Sequence, residues 1–584
     1  MQSGSNEPPR TKPRRLKKRF VLLLLVSAVV VAGLWAFLSR PSIPDGSVLV
    51  LDLAAPLEER SPDGLTRWIA GSEIDIVDLW RSLRAAAKDP RVEGLVLKIH
   101  AGSVRSGTVD ELRGLVLEFQ KSGKRAIAHL NAPDTLGYLL GTAAREVLLD
   151  PSTTLDSVGI RMNAYFLKDA LGALGVEADL VRVGSFKGAF EELAQSAPTP
   201  ELEASLSELV GSLYKSILEP IAAERKLDVN ALRAIFDRAP LQPDEALALK
   251  LVDGLATQEE LTKRTEEKAG KALHWIGMEE YRATLAPARK ARRIALVHIL
   301  GTMVEGESRD LPWIGLSSGA DTVTKAIRAA SLDPGVDGIL LRIDSPGGVV
   351  SAAEKVQLAV EAARKSKPVV ASCGGAAASG GYYAACSAEL ILAHPTTLTG
   401  SIGIFGGKIV IRDLLARLKV EARTYSGGQR ATLNDFTRSF TAEERLAIKS
   451  LLESSYRRFV DRVAVSRKKS FEAIDNVAQG RVWTGRAALD VGLVDRMGGL
   501  VEAVSSVVEL ARLDRAQAVE LELFPPRQTL WDAISKPKRS ARGAEQGLGS
   551  LALDVICDLR ALQEAGLFNG LASMAWLPFL HELK

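Results

Sequence analysis

Cysteine is scarce in this 584-residue chain, which holds only Cys373, Cys386 and Cys557. So small and odd a count builds no disulfide framework and leaves at least one thiol free. Histidine is also rare, six in all, and no HExxH spacing occurs, so the sequence offers no metal centre. Neither GxxxxGKS nor GxxxxGKT is present, so no ATP-driven step is expected. One sign of charge does not dominate: 75 Lys and Arg stand against 71 Asp and Glu, a net +4. Nucleic-acid binding therefore loses its electrostatic support. Beyond residue 40 no apolar run reaches the roughly 18 residues of a membrane span. What remains, 46% hydrophobic and 25% charged, is ordinary for a packed α/β protein and excludes disorder and collagen.

The net charge is concentrated at the front. Residues 1–19 carry Arg10, Lys12, Arg14, Arg15, Lys17, Lys18 and Arg19 against Glu7, a net +6, which leaves −2 for the rest. Residues 20–39 follow without a charge. Twenty residues at about 1.5 Å each match a hydrocarbon core of about 30 Å. The rival reading is a cleaved signal peptide, but Phe37-Leu38-Ser39-Arg40 is a poor small-residue cleavage site. An uncleaved single-pass anchor is expected, with residues 1–19 cytoplasmic and the body beyond the inner membrane, periplasmic in a diderm bacterium.

The body is written twice. Asp89-Pro90-Arg91-Val92-Glu93-Gly94 resembles Asp333-Pro334-Gly335-Val336-Asp337-Gly338, an offset of 244. The offset recurs at Ser157-Val158-Gly159 against Ser401-Ile402-Gly403, and at Val176-Glu177-Ala178 against Val420-Glu421-Ala422. Leu251-Val252-Asp253 matches Leu493-Val494-Asp495 at offset 242. Apolar strands at 47–53, 95–99 and 126–130, and again at 293–300, 339–343 and 369–372, alternate with helix-period segments. That alternation predicts parallel βαβ units with right-handed crossovers. Residues 259–292 read as a charged connector. The tail from about 516 ends in an apolar stretch, 567–580, suited to core packing or to membrane or substrate contact.

The copies differ where chemistry would sit. The second has Asp344-Ser345-Pro346-Gly347-Gly348 where the first has His100-Ala101-Gly102-Ser103-Val104. Paired glycines after a strand suit an oxyanion hole, and equally a tight turn. The second also has Gly374-Gly375-Ala376-Ala377-Ala378-Ser379-Gly380-Gly381, which exposes a serine or simply packs closely. In the first copy only Thr135 lies near that place. A serine nucleophile needs a base, and no histidine suits the role; His394 is nearest in sequence. Lys187 aligns with Ala431, so the first copy has a lysine and no serine, the second a serine and no lysine. That is the pattern of a duplicated Ser–Lys enzyme in which each copy lost one half. Lys187 read alone is one of many surface lysines.

These residues resemble the signal peptide peptidase A (protease IV) family in its long, two-repeat bacterial form. The resemblance rests on the anchor, DSPGG (344–348), AASGGYY (377–383), PTTLTGSIGIFG (395–406), GSFKGA (184–189) and VWTGRAALDVGLVD (482–495). It implies two tandem α/β repeats of the crotonase/caseinolytic-protease kind behind a transmembrane helix. The implied units are 1–19 cytoplasmic, 20–39 membrane, 45–290 with the lysine, 291–515 with the serine, and 516–584 as tail. It implies a serine endopeptidase with Ser379 as nucleophile, Lys187 as general base, Ser401 orienting the lysine, and the N–H groups of Gly348 and Gly380 as oxyanion hole. No cofactor, metal or ATP is implied. The implied substrates are remnant signal peptides and some misfolded exported proteins, and the implied assembly is a bowl-shaped homotetramer on membrane lipid. A base of this kind needs its pKa lowered by roughly two to three units from about 10.4, which calls for a closed apolar pocket. A crotonase-like acyl-CoA enzyme and an inactive membrane scaffold are the alternatives. Cys373 and Cys386 flank the serine segment as buried thiols or as an oxidisable pair.

Overall fold

The computed structural model describes residues 43–61, 74–285, 291–311 and 315–526, together with the backbone of Met574–Ala575. The expected anchor at 20–39 lies outside the described residues, among which no helix is long and apolar enough to cross a membrane.

The duplicated apolar runs become the centres of two sheets. In the first repeat Ser47–Leu53, Val92–His100, Arg125–Asn131 and Glu146–Leu149 lie side by side, all parallel. In the second, Arg292–Leu300, Val336–Ser345, Val369–Ala378 and Leu390–Ala393 repeat the order. Strands buried on both faces need continuous apolar sequence, and the middle of Val336–Ser345, Ile339–Leu340–Leu341, is fully buried. Each repeat also carries a 26-residue helix, Pro200–Arg225 and Ala442–Arg467. Each begins at a threonine cap, Thr199 or Thr441, and ends at a left-handed lysine, Lys226 or Lys468.

Side chains reproduce the duplication too. Asp253 accepts from Val147 N at 2.8 Å and pairs with Arg225; Asp495 accepts from Ile391 N at 2.8 Å and pairs with Arg467. The Tyr138 hydroxyl donates to Leu251 O, and the Tyr382 hydroxyl to Leu493 O. The shared Leu-Val-Asp motif therefore ties strand to helix.

Two sequence boundaries move. The expected connector, 259–292, is largely folded into the first repeat: it holds helix Gln258–Ala269 and strand His274–Gly277, which pairs with Ser47–Leu53. Its apolar positions, Leu261, Leu273 and Ile276, are buried, which the surrounding charge conceals in the sequence. The second repeat runs past 515, because Val519–Phe524 adds in parallel to Arg292–Leu300. Of the apolar tail stretch, the described Met574–Ala575 pairs antiparallel with Gly348–Val349.

The repeats interlock in two places. Strand Glu177–Val183 of the first pairs antiparallel with Ile404–Val410 of the second, Val183 opposite Ile404. Helix Ser106–Gln120 of the first crosses strand Val369–Ala378 so closely that a Cβ on Gly375 would lie 2.4 Å from Gly107 Cα.

Candidate active site

Lys187 is delivered by that first interlock. It follows strand Glu177–Val183 by four residues, and Phe186 N donates to Gln479 O at 2.8 Å, holding the segment against the second repeat. Its ammonium nitrogen lies 2.8 Å from Ser379 Oγ, 2.9 Å from Ser401 Oγ and 3.0 Å from Ser401 O. Lys187 is 1% exposed, and among the described residues no carboxylate contacts its Nζ. Desolvation lowers its pKa from the ordinary lysine value to about 7.

Ser379 stands at the end of strand Val369–Ala378, before the short helix Gly380–Ala385. Its backbone has φ 54° and ψ −115°, a sparsely populated conformation for a side-chain-bearing residue. Its N–H is tied to Gly400 O at 2.8 Å. The hydroxyl makes no cap bond to the helix it precedes and instead meets Lys187. Ser401, itself at φ 51°, is anchored by its own N–H to Arg481 O at 2.7 Å.

The glycines expected at an oxyanion hole converge here. A Cβ on Gly380 would lie 3.1 Å from Gly348 N, so the two backbones are adjacent. Gly348 has no room for a side chain, because its Cβ would sit 2.1 Å from Met303 O. All five expected site residues, Ser379, Lys187, Ser401, Gly348 and Gly380, therefore meet in one place. Ala431, the counterpart of Lys187, is exposed in a turn. His394 is elsewhere: its Nε2 lies 3.1 Å from Glu111 Oε2. Cys373 and Cys386 are buried free thiols, each pushed up to about 12 by burial.

A buried ionic cluster with no signal in the sequence lies beneath the site. Arg342, 1% exposed, binds Glu59 and Glu111 of the first repeat and Ser372 Oγ of the strand that leads to Ser379. Glu111 also accepts from Leu500 N at 2.9 Å, and its carboxyl is held at about 2 by Arg342 and His394 against the desolvation of its site. Nothing in the spacing signals a contact across 231 residues. Among the described residues no cluster of His, Cys, Asp and Glu is suited to hold a metal ion.

The profile of peptidase family S49 matches the chain twice, at residues 118–272 and 361–514. Protease 4 of Salmonella typhi is 32% identical over 547 residues, 88% of this chain and 86% of its own. The chloroplastic serine protease SPPA of Arabidopsis thaliana is 28% identical, covering 87% of this chain and 75% of its own. Protease 4 of Haemophilus influenzae is 28% identical over 77% of this chain and 75% of its own. Among solved structures, ClpP1 from Listeria monocytogenes matches 35% of this chain and 91% of its own at 18% identity, with a TM-score of 0.21. The chain belongs to peptidase family S49 and is a serine endopeptidase of the signal peptide peptidase type.

Proposed function

We propose that this protein degrades cleaved signal peptides and other unfolded exported chains through an acyl-enzyme on Ser379, with Lys187 as general base. The observation that carries the reading is the 2.8 Å contact between the buried Lys187 Nζ and Ser379 Oγ. Neutral Lys187 takes the hydroxyl proton as Ser379 attacks the scissile carbonyl. The N–H groups of Gly348 and Gly380 hold the oxyanion. The lysine then gives its proton to the leaving amine, and water, activated by the same lysine, hydrolyses the ester. Ser401 keeps the amine aimed at Ser379. No cofactor, metal or ATP enters these steps, so the substrates are short or unfolded chains.

The same reading places residues 20–39 in the inner membrane, with the protease body on the periplasmic side, close to spent signal peptides. It also includes a homotetramer. Within one chain Glu177–Val183 pairs with Ile404–Val410. Their duplicates, 421–427 and 160–166, form no strand in the chain and leave Tyr425 87% and Tyr165 58% exposed. Joining 421–427 of one copy to 160–166 of the next repeats the internal contact head to tail and closes a ring.

The test is incubation of the pure protein with a panel of synthetic signal peptides, with product masses read out. Internal cleavage that is lost in Ser379→Ala is expected. Intact peptides would favour the scaffold reading, and failure of a fluorophosphonate to label Ser379 would favour an acyl-CoA enzyme.

A further inference from the structure

Strands Val336–Ser345 and Val369–Ala378 run in register up to Ile343 opposite Cys373, and pair again at Ser345 opposite Ala377. One residue, Asp344, therefore faces three: Gly374, Gly375 and Ala376. The nucleophile strand carries a two-residue bulge just before Ser379. Bulges re-aim a strand at the cost of unpaired backbone groups. Here the N–H of Ala376 is taken at 2.8 Å by Asp344 Oδ1, a side chain in place of a strand carbonyl. The Asp344 carbonyl accepts from Gly301 N at 2.8 Å, and Met303 N in turn donates to Gly347 O at 2.8 Å. Asp344 thus connects the strand leading to Ser379 with the segment beneath Gly348.

The bulge admits no side chains of its own. A Cβ on Gly374 would meet Glu59 Oε1 at 2.9 Å, and one on Gly375 would meet Gly107 Cα at 2.4 Å. The first repeat has no such device: Ile99 pairs with Leu130 and His100 with Asn131 without a shift. His100, at the place of Asp344, turns outward to Asp52.

We propose that Asp344 is a positioning residue of the peptidase reaction: its carboxylate oxygen fixes the bulge that sets Ser379 against Gly348 and Gly380. The inference rests on the reading of Ser379 as nucleophile. What matters is the acceptor, not the charge. Asp344 is fully desolvated beside Glu59, and both effects raise its pKa, to about 6, against the opposing hydrogen bond from Ala376 N–H and the pull of Arg342. The bulge needs an acceptor for the Ala376 N–H, and the Oδ1 of a neutral amide accepts as a carboxylate oxygen does.

Asp344→Ala and Asp344→Asn in the full-length enzyme test this, with kinetics and amide exchange measured side by side. Asp344→Ala is expected to lower kcat by about 10–100-fold, the scale of a 1 Å misplacement, with KM changed less than about twofold. The midpoint of the pH profile, set by Lys187, should not move. Asp344→Asn should keep kcat within about threefold, because its Oδ1 still accepts from Ala376. In both proteins exchange of the Ala376 amide reads the bulge without reference to catalysis: fast in the alanine variant, slow in the asparagine one. Wild-type kcat in Asp344→Ala, or an asparagine variant as impaired as the alanine one, overturns the proposal. A wild-type protein that hydrolyses nothing overturns the function instead, while the exchange pattern still reports on Asp344.

Discussion

At the end of the third strand of each repeat the chain turns into a short helix, and the two turns are built differently. In the first, Asp134 is extended at φ −74° and ψ −177° and caps helix Thr135–Gly141 by accepting from Gly137 N at 2.7 Å. The Thr135 hydroxyl is occupied too, donating to Gly159 O at 2.6 Å. In the second, Ala378 stands where the first has Asp134, the cap bond is absent, and Ser379 sits in a strained conformation with its hydroxyl on a lysine. One turn stabilises its helix and the other keeps a hydroxyl available. A duplicated scaffold thus carries one repeat that contributes Lys187 and the platform, and one that holds Ser379 in strained geometry. The platform role is visible in Glu59 and Glu111, which reach from the first repeat to Arg342 in the second.

That division can be broken in graded steps. The largest effect belongs to the shared pair: Ser379→Ala and Lys187→Ala should each lower kcat by about 10⁴-fold or more in a peptide hydrolysis assay, while Thr135→Ala changes it less than twofold. Next comes Gly348→Val, which installs the first repeat's Val104. Its Cβ has no space beside Met303 O, and loss of one oxyanion donor costs about 10²–10³-fold in kcat. Circular dichroism should confirm that the protein remains folded.

Glu111→Ala probes the platform by leaving Arg342 and His394 without a shared partner. Removing one member of a buried ion pair costs about 3–5 kcal/mol, to be read as a lowered midpoint in denaturant unfolding. The smallest effect is expected for Asp134→Ala, about 1 kcal/mol from a lost helix cap with kcat unchanged. Comparable loss of activity in Asp134→Ala would mean the first turn is not merely structural.

Much of this division was legible in the residues alone. The 244-residue offset between Asp89 and Asp333, and again between Ser157 and Ser401, exposes the duplication, and the complementary absence of serine and lysine points to Ser379 and Lys187 together. Strand periodicity fell short where polar residues hide a buried edge. His274–Gly277 and Val519–Phe524 are short or alternating strands that read as connector and tail, and sheet pairing at Ser47–Leu53 and Arg292–Leu300 orders them. In sequence the bulge at Gly374 and Gly375 is only a run of small residues; its register exists once Cys373 and Ala377 stand opposite Ile343 and Ser345. The Arg342 cluster was invisible because its partners are distant in sequence and none has a diagnostic spacing.

The central claim is that Lys187, neutralised by burial, is the base for Ser379. The most direct measurement is the rate at which a fluorophosphonate acylates Ser379 as pH is varied, in wild type and in Lys187→Ala. A lysine at about 7 loses its proton as pH rises through that value. Labelling should therefore climb about tenfold per pH unit below the midpoint, level off above it, and be absent in Lys187→Ala. A rate that keeps rising toward pH 10, or a Lys187→Ala protein labelled as fast as wild type, would contradict the account.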